Sequence, residues 1–156
     1  YAGQDVYYEA PDVEIEYSDD GTRRRGQFYL DGVWMNLVNA VVTANRSEAD
    51  STYFAFDFFA TSVNAVLGNS EPTPAGAGED GHLVVVDLDG RPLSQDEAGA
   101  DIEWDSAGNS VVRVKETRLY QIASLPEFGK HELKLTTSSE GLAVYTITFG
   151  IFEFGP

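Results

Sequence analysis

Apolar and polar residues alternate with a period of two along most of this chain. "VEIEY" sets Val13, Ile15 and Tyr17 against Glu14 and Glu16, "VVRVK" sets Val112 and Val114 against Arg113 and Lys115, and "HELKLTT" sets Leu133 and Leu135 against Glu132 and Lys134. Successive side chains of a strand point to opposite faces, so strict alternation marks half-buried strands. Turn signals punctuate the runs: "SDDGT" at 18–22, "LDGVW" at 30–34, "LDGRP" at 88–92, "SAGNS" at 106–110 and "SSEGL" at 138–142. Glycine beside Asp or Asn supplies the positive φ that tight turns require. Strands at this spacing predict an all-β jelly-roll sandwich.

The most informative stretch is "YFAFDFFATSVNAVLG", 53–68. Phe54, Phe56 and Phe58 share one strand face, and Tyr53, Ala55, Asp57 and Phe59 share the other. This predicts a central strand whose inner face walls the core. Its outer face is either covered by another element or open as a platform. Asp57 and the short length exclude a membrane helix, which needs about 20 apolar residues. "NLVNAVVTAN", 36–45, suits a helical turn or a strand equally, because its β-branched residues favour the latter. "GNSEPTPAGAGEDG", 68–81, is rich in Gly, Pro, Ala and acid and is expected to be a mobile surface loop. The whole chain, 1–156, is expected to form one domain, with 1–26 an N-terminal strand or hairpin region.

Charge and composition narrow the function. Twenty-six acids against 10 bases give a net charge of −16. That sign opposes nucleic-acid binding and contact with anionic membranes. It suits a neutral or cationic ligand, or solubility alone. With no cysteine, the chain carries no disulfide, thiolate metal site or thiol chemistry of its own. The opening "YAGQDVYYEA" lacks a basic and then apolar leader pattern and an initiating Met, so the chain is expected to be a piece of something longer.

Catalytic signals are poor. His82 and His131 are each expected to begin a strand as solvated side chains, and neither lies near a Gly-x-Ser-x-Gly elbow. No acid spacing singles out a glycosidase pair, and there is no phosphate loop or dinucleotide fingerprint. An enzyme built on a carboxylate pair would need a deep acidic cleft. For metals, "DIEWDSAGN" gathers Asp101, Glu103, Asp105 and Asn109 in one acidic stretch, a candidate structural calcium site; Asp87 and Asp89 are a second. The first departs from an EF-hand loop in lacking the sixth-place Gly and the twelfth-place Glu, and acidic turns commonly bind nothing.

For recognition, aromatic rings can stack on sugar faces while Asn, Asp, Arg or Gln meet the hydroxyls. Trp104, among polar and acidic neighbours, is the better candidate for an exposed ring. Trp34 follows an Asp-Gly turn and is the weaker one; packing under a loop is the alternative for both rings. Arg118 and Tyr120 share a strand face and form either a polar-aromatic ligand spot or a stacked structural pair. Tyr145 is a further weak candidate.

Five segments also carry a resemblance. In order they are Leu30-Asp31-Gly32-Val33-Trp34, then Phe58-Phe59-Ala60-Thr61-Ser62-Val63-Asn64-Ala65-Val66, then Val86-Asp87-Leu88-Asp89-Gly90, then Arg118-Leu119-Tyr120-Gln121, and last Val144-Tyr145-Thr146-Ile147-Thr148-Phe149-Gly150. Together they resemble the C-terminal domain of DipZ-type proteins, which join a CcdA-like membrane part to an extracytoplasmic thioredoxin-like domain and then to this domain. The resemblance covers most of the chain. It departs where the family often has His-Gly before the Asp-x-Asp stretch; Ala98-Gly99 stands there. It implies a jelly roll similar to carbohydrate-binding modules, outside the cytoplasmic membrane. The expected function is that of a non-catalytic accessory domain binding carbohydrate through Trp104, Arg118 and Tyr120, with Trp34 and Tyr145 as weaker choices. The alternative is a spacer or docking domain that contacts a redox neighbour and binds no sugar.

Overall fold

The computed structural model describes residues 12–24, 26–44, 51–70 and 81–151. Among these residues every regular element is a strand: β1 Glu14–Tyr17, β2 Phe28–Asn36, β3 Val41–Thr43, β4 Thr52–Asn69, β5 His82–Leu88, β6 Arg91–Pro92, β7 Glu103–Trp104, β8 Ser110–Val114, β9 Arg118–Thr137 and β10 Leu142–Gly150. Neighbours run β1-β2-β3-β10-β4-β9-β5-β8-β7, with β6 on β5 and a further β2–β4 pairing. All of the pairings are antiparallel. The fold is the all-β jelly-roll sandwich that the alternation predicts.

β4 and β9 are long because each serves both layers. Thr52–Ala60 of β4 pairs with Gly129–Thr137 of β9, while Ser62–Leu67 pairs with Arg118–Ser124. Between the halves the register slips, so residues 125–128 of β9 have no opposite number. Such irregularities bend a strand and let it turn the corner from one sheet to the other. The first half of β4 borders β2 and the second half borders β10.

The core forms where the two layers face each other. Phe54, Phe56 and Phe58 are 5%, 4% and 4% exposed, so the expected wall exists. Each ring removed from water stabilises by about 1.5–3 kcal/mol. Val84, Val86 and Leu88 of β5 and Val63, Ala65 and Leu67 of β4 join the same cluster.

The outer face of the first half of β4 is covered at Tyr53 and Ala55 and open at Phe59, which is 46% exposed. Residues 18–24 lie over it and are fastened by Asp19 and Arg23. The Arg23 guanidinium donates to both Asp19 oxygens at 2.9 Å and to Glu132 Oε2 at 2.8 Å, and it lies over the Tyr29 ring. Tyr53 Oη and Gly21 N also donate to Asp19, at 2.7 and 2.9 Å. Burial raises the Asp19 pKa, but these donors outweigh it and hold the carboxyl at about 2.

Several expectations change. The 36–45 stretch is strand and turn: β2 ends at Asn36, Leu37 N donates to Ala40 O at 2.8 Å, and β3 follows. The 1–26 region is not a hairpin in its described part, because β1 pairs outside it, Ile15 opposite Trp34; residues 1–11 lie outside the described residues. Gly68 and Asn69 complete β4 and 71–80 lie outside the described residues, so the expected loop is represented only by its margins. His131 does not begin a strand but lies inside β9, since Pro126 and Gly129 mark the slip and not a turn. His82 does begin β5, yet it is fully buried, not solvated.

Candidate functional site

Two of the proposed ligand residues belong to the interior. Trp34 is 1% exposed and its Nε1 donates to Asp31 O at 3.0 Å. Tyr120 is also 1% exposed and donates its hydroxyl to Glu116 O at 2.7 Å. A ring with no free face cannot stack on a ligand, so both leave the candidate set. The β period explains each: Trp34 and Leu30 share the inner face of β2, and Tyr120 and Ile122 flank the slip in β9 that separates Ala123 from Gln121.

Arg118 lies over Tyr120, its guanidinium carbon 3.8 Å from the ring centroid. It also donates to Asp101 Oδ1 and Leu119 O, both at 2.8 Å. The pair is therefore a lid on a core ring, the structural alternative weighed above. Trp104 is 41% exposed on edge strand β7, with Nε1 donating to Leu93 O at 3.2 Å. It lies at the edge of the sheet, beside the Glu103–Arg113 ion pair.

The three carboxylates proposed for calcium do not converge. Asp101 accepts from Arg118 and from Gln121 N, which lower its pKa in that order of cause against burial. Glu103 pairs with Arg113. Asp105 accepts from Asn109 Nδ2 and from the backbone N–H groups of Ala107 and Asn109, closing an Asx-type turn. Of the second candidate pair, Asp89 takes Glu132 N at 2.8 Å and His131 Nδ1 at 2.7 Å. Among the described residues no three Asp, Glu or His side chains form a group that could hold a metal ion.

A well-formed concavity lies elsewhere, between β2 and β10 beside β4. It has a volume of about 300 Å³. Its floor is Phe28, Phe54 and Phe56, and its flank is Tyr145, Ile147 and Phe149 of β10. Gln27, Asn36 and Asn39 also line it, and Asp57 is its one acid among the described residues. Phe28 stacks on Phe54 at 5.0 Å, and Phe149, 52% exposed, meets Phe56 edge-on at 5.7 Å. Tyr145 is the extra residue of a bulge in β10, since Val144 opposes Leu67 and Thr146 opposes Val66. The bulge re-aims the strand so that Tyr145 packs toward Val42 while Ile147 returns to the main core. Beyond Phe149 a second hollow of about 260 Å³ holds Arg23, Asp57, Phe58, Phe59 and Lys130, with Lys130 Nζ 3.4 Å from Asp57.

Of the five candidate ligand residues, only Tyr145 lines this groove. Phe149, Phe28, Gln27, Asn36 and Asn39 were missed. The available signal was the "YTITF" run, whose Tyr145, Ile147 and Phe149 alternate with threonines. The concavity itself depends on which strands border it, which no local pattern encodes.

The thioredoxin-like C-terminal domain family matches residues 2–150. The chain belongs to that family. No curated protein matches this thioredoxin-like C-terminal domain. Among solved structures, the domain superposes on a family two carbohydrate esterase from Cellvibrio japonicus with a TM-score of 0.55 and 12% identity. The match covers 92% of the domain and 35% of that chain. At this identity the likeness is one of fold, and the domain spans about a third of that protein's length.

Proposed function

We propose that this domain is a non-catalytic accessory domain of an extracytoplasmic thiol-disulfide protein, and that it binds carbohydrate in the groove beside β10. The observation that carries the reading is the groove's composition: the aromatic residues Phe149 and Tyr145 line the same groove as the amide residues Gln27, Asn36 and Asn39, of which Asn36 Nδ2 already donates to Tyr17 Oη. Rings suit the apolar faces of a sugar, and amides both donate to and accept from hydroxyls. The acidic chain favours a neutral saccharide over an anionic one. The fold shared with a carbohydrate esterase agrees with this. Thiol exchange would belong to another part of the parent protein, because this chain has no cysteine.

Calorimetric titration with neutral oligosaccharides tests it. Phe149→Ala and Tyr145→Ala are each expected to weaken binding about five- to tenfold, the value of a stacked ring. Trp104→Ala, outside the groove, is expected to leave it unchanged. Equal loss in Trp104→Ala and none in the groove variants would move the site to β7.

A second reading has its own observation. Phe59 and Phe128, 46% and 56% exposed, pair with their ring centroids 6.3 Å apart, and Phe59 borders the second hollow. Exposed paired rings beside an apolar groove suit docking on a neighbouring protein domain. If no saccharide binds while the parent's thioredoxin-like domain does, and Phe59→Ser abolishes that contact, the docking function replaces the sugar one.

A further inference from the structure

His82 is the polar side chain that the fold leaves least provided for. It is 0% exposed, and among the described residues neither ring nitrogen finds a hydrogen-bond partner. It occupies the inward face of β5 together with Val84, Val86 and Leu88. Neighbouring strands present Val112 and Val114 of β8 and Leu133, Leu135 and Thr137 of β9 on the buried side. The second half of β4 presents Val63, Ala65 and Leu67. The titratable group of this interior is Tyr120, whose hydroxyl is taken by Glu116 O. The charged residues of the flanking strands alternate to the other side: Arg113 opposes Leu83, and Lys134 opposes Asp87. Arg91 of β6 is at the far end of β5 and is bound to Glu97. The charged residue beside this end of the ladder is the cation Lys115, whose stem lies next to Gly81, and no described carboxylate hydrogen-bonds the ring. The backbone closes over it as well: a Cβ on Gly81 would stand 2.5 Å from Val114 O.

We propose that His82 is an acid-sensitive latch: neutral, it lets the β5–β8 ladder close on an apolar interior, and protonated, it opens that ladder from the His82–Val114 end. A charged imidazolium without a partner is far costlier in such surroundings than the neutral ring. Burial accordingly lowers the His82 pKa from the ordinary 6.5. The opening has a natural limit. The ladder runs from His82–Val114 to Val85–Val111, and beyond it Ser110 is pinned, accepting from Leu93 N and donating to Val86 O. The released segment is thus the end of β8 and the start of β5, not the whole sheet.

The sign follows from linkage. The folded ring resists the proton and the open one does not, so the closed form is fully favoured above 6.5 and loses ground as pH falls below it. One proton gives a limiting slope of about tenfold in the opening equilibrium per pH unit. Hydrogen exchange on the full chain, corrected for intrinsic rates, reads this directly at residues 82–85 and 111–114. In the wild type, opening is expected to rise toward that slope below 6.5, while His82→Leu stays level. A level wild type, or a His82→Leu variant that follows the wild-type slope, overturns the proposal. Should His82→Leu not fold, the wild-type ring is followed by NMR: titration at the ordinary value with protection of 82–85 intact overturns it equally, and titration coupled to loss of protection supports it.

Discussion

Replacing Asp19 by Asn tests whether the segment 18–24 is fastened electrostatically. The side chain is 1% exposed and accepts four hydrogen bonds: two from the Arg23 guanidinium, one from Tyr53 and one from Gly21 N. Asn keeps the shape but turns one acceptor into a donor that faces a donor, and it removes the charge. The carboxyl's fall from 3.8 to about 2 measures the fold's preference for the ionised form. At 1.36 kcal/mol per factor of ten this is about 2 kcal/mol. A hydrogen bond to a charged group, worth about 1.5–3 kcal/mol, gives the same scale. In a domain of this size, about 2 kcal/mol lowers Tm by roughly 4–8 °C. The assay is a thermal melt at neutral pH, repeated toward acid. Because the folded pKa is depressed, the wild-type advantage is present above 3.8 and disappears as pH falls toward about 2. A drop of less than about 1 °C, or one that keeps its size as the solution is acidified, would refute the reasoning.

Two other outcomes follow from close contacts and from occupied carboxylates. Gly99→Ala places a Cβ 2.2 Å from Gln121 O, a backbone atom that cannot swing away, and is expected to cost about 2–3 kcal/mol in urea denaturation. A variant as stable as the wild type would show that 98–99 can lift from β9. Calcium added in excess, or removed by a chelator, is expected to leave Tm unchanged, since Asp101, Glu103 and Asp105 already have protein donors. A calcium-dependent rise in Tm that Asp105→Asn cancels would restore the metal site.

What the sequence disclosed was whatever repeats locally. The Phe54, Phe56 and Phe58 wall, the alternation in β8 and the end of β9, and the Asp-Gly turn at Asp89, with φ of 53°, all follow from neighbours in the chain. What it hid depends on distant partners. "SDDGT" announces a turn but not that Asp19 reaches Tyr53, or that Arg23 reaches Glu132, 109 residues away. Pro126 and Gly129 break the alternation as a turn would, yet β4 holds β9 together across them. Trp104, open between an exposed and a packed ring in the sequence, is 41% exposed. Tyr120 is the core ring with Arg118 stacked on it, one of the two alternatives that the sequence left open. The groove lies between β2 and β10, so its residues are scattered over four strands and the segments before and after β2.

The sharing of β4 and β9 between layers bears on how the chain comes to be made. The phenylalanine wall is synthesised early, but the strand that pairs along its whole length, Gly129–Thr137, comes some seventy residues later. Until then those rings have only β2 beside them, and the loop that must close is long. A nascent chain therefore carries its stickiest strand uncovered through much of its translation, and a holding chaperone that shields 53–60 would raise yield without touching the finished fold.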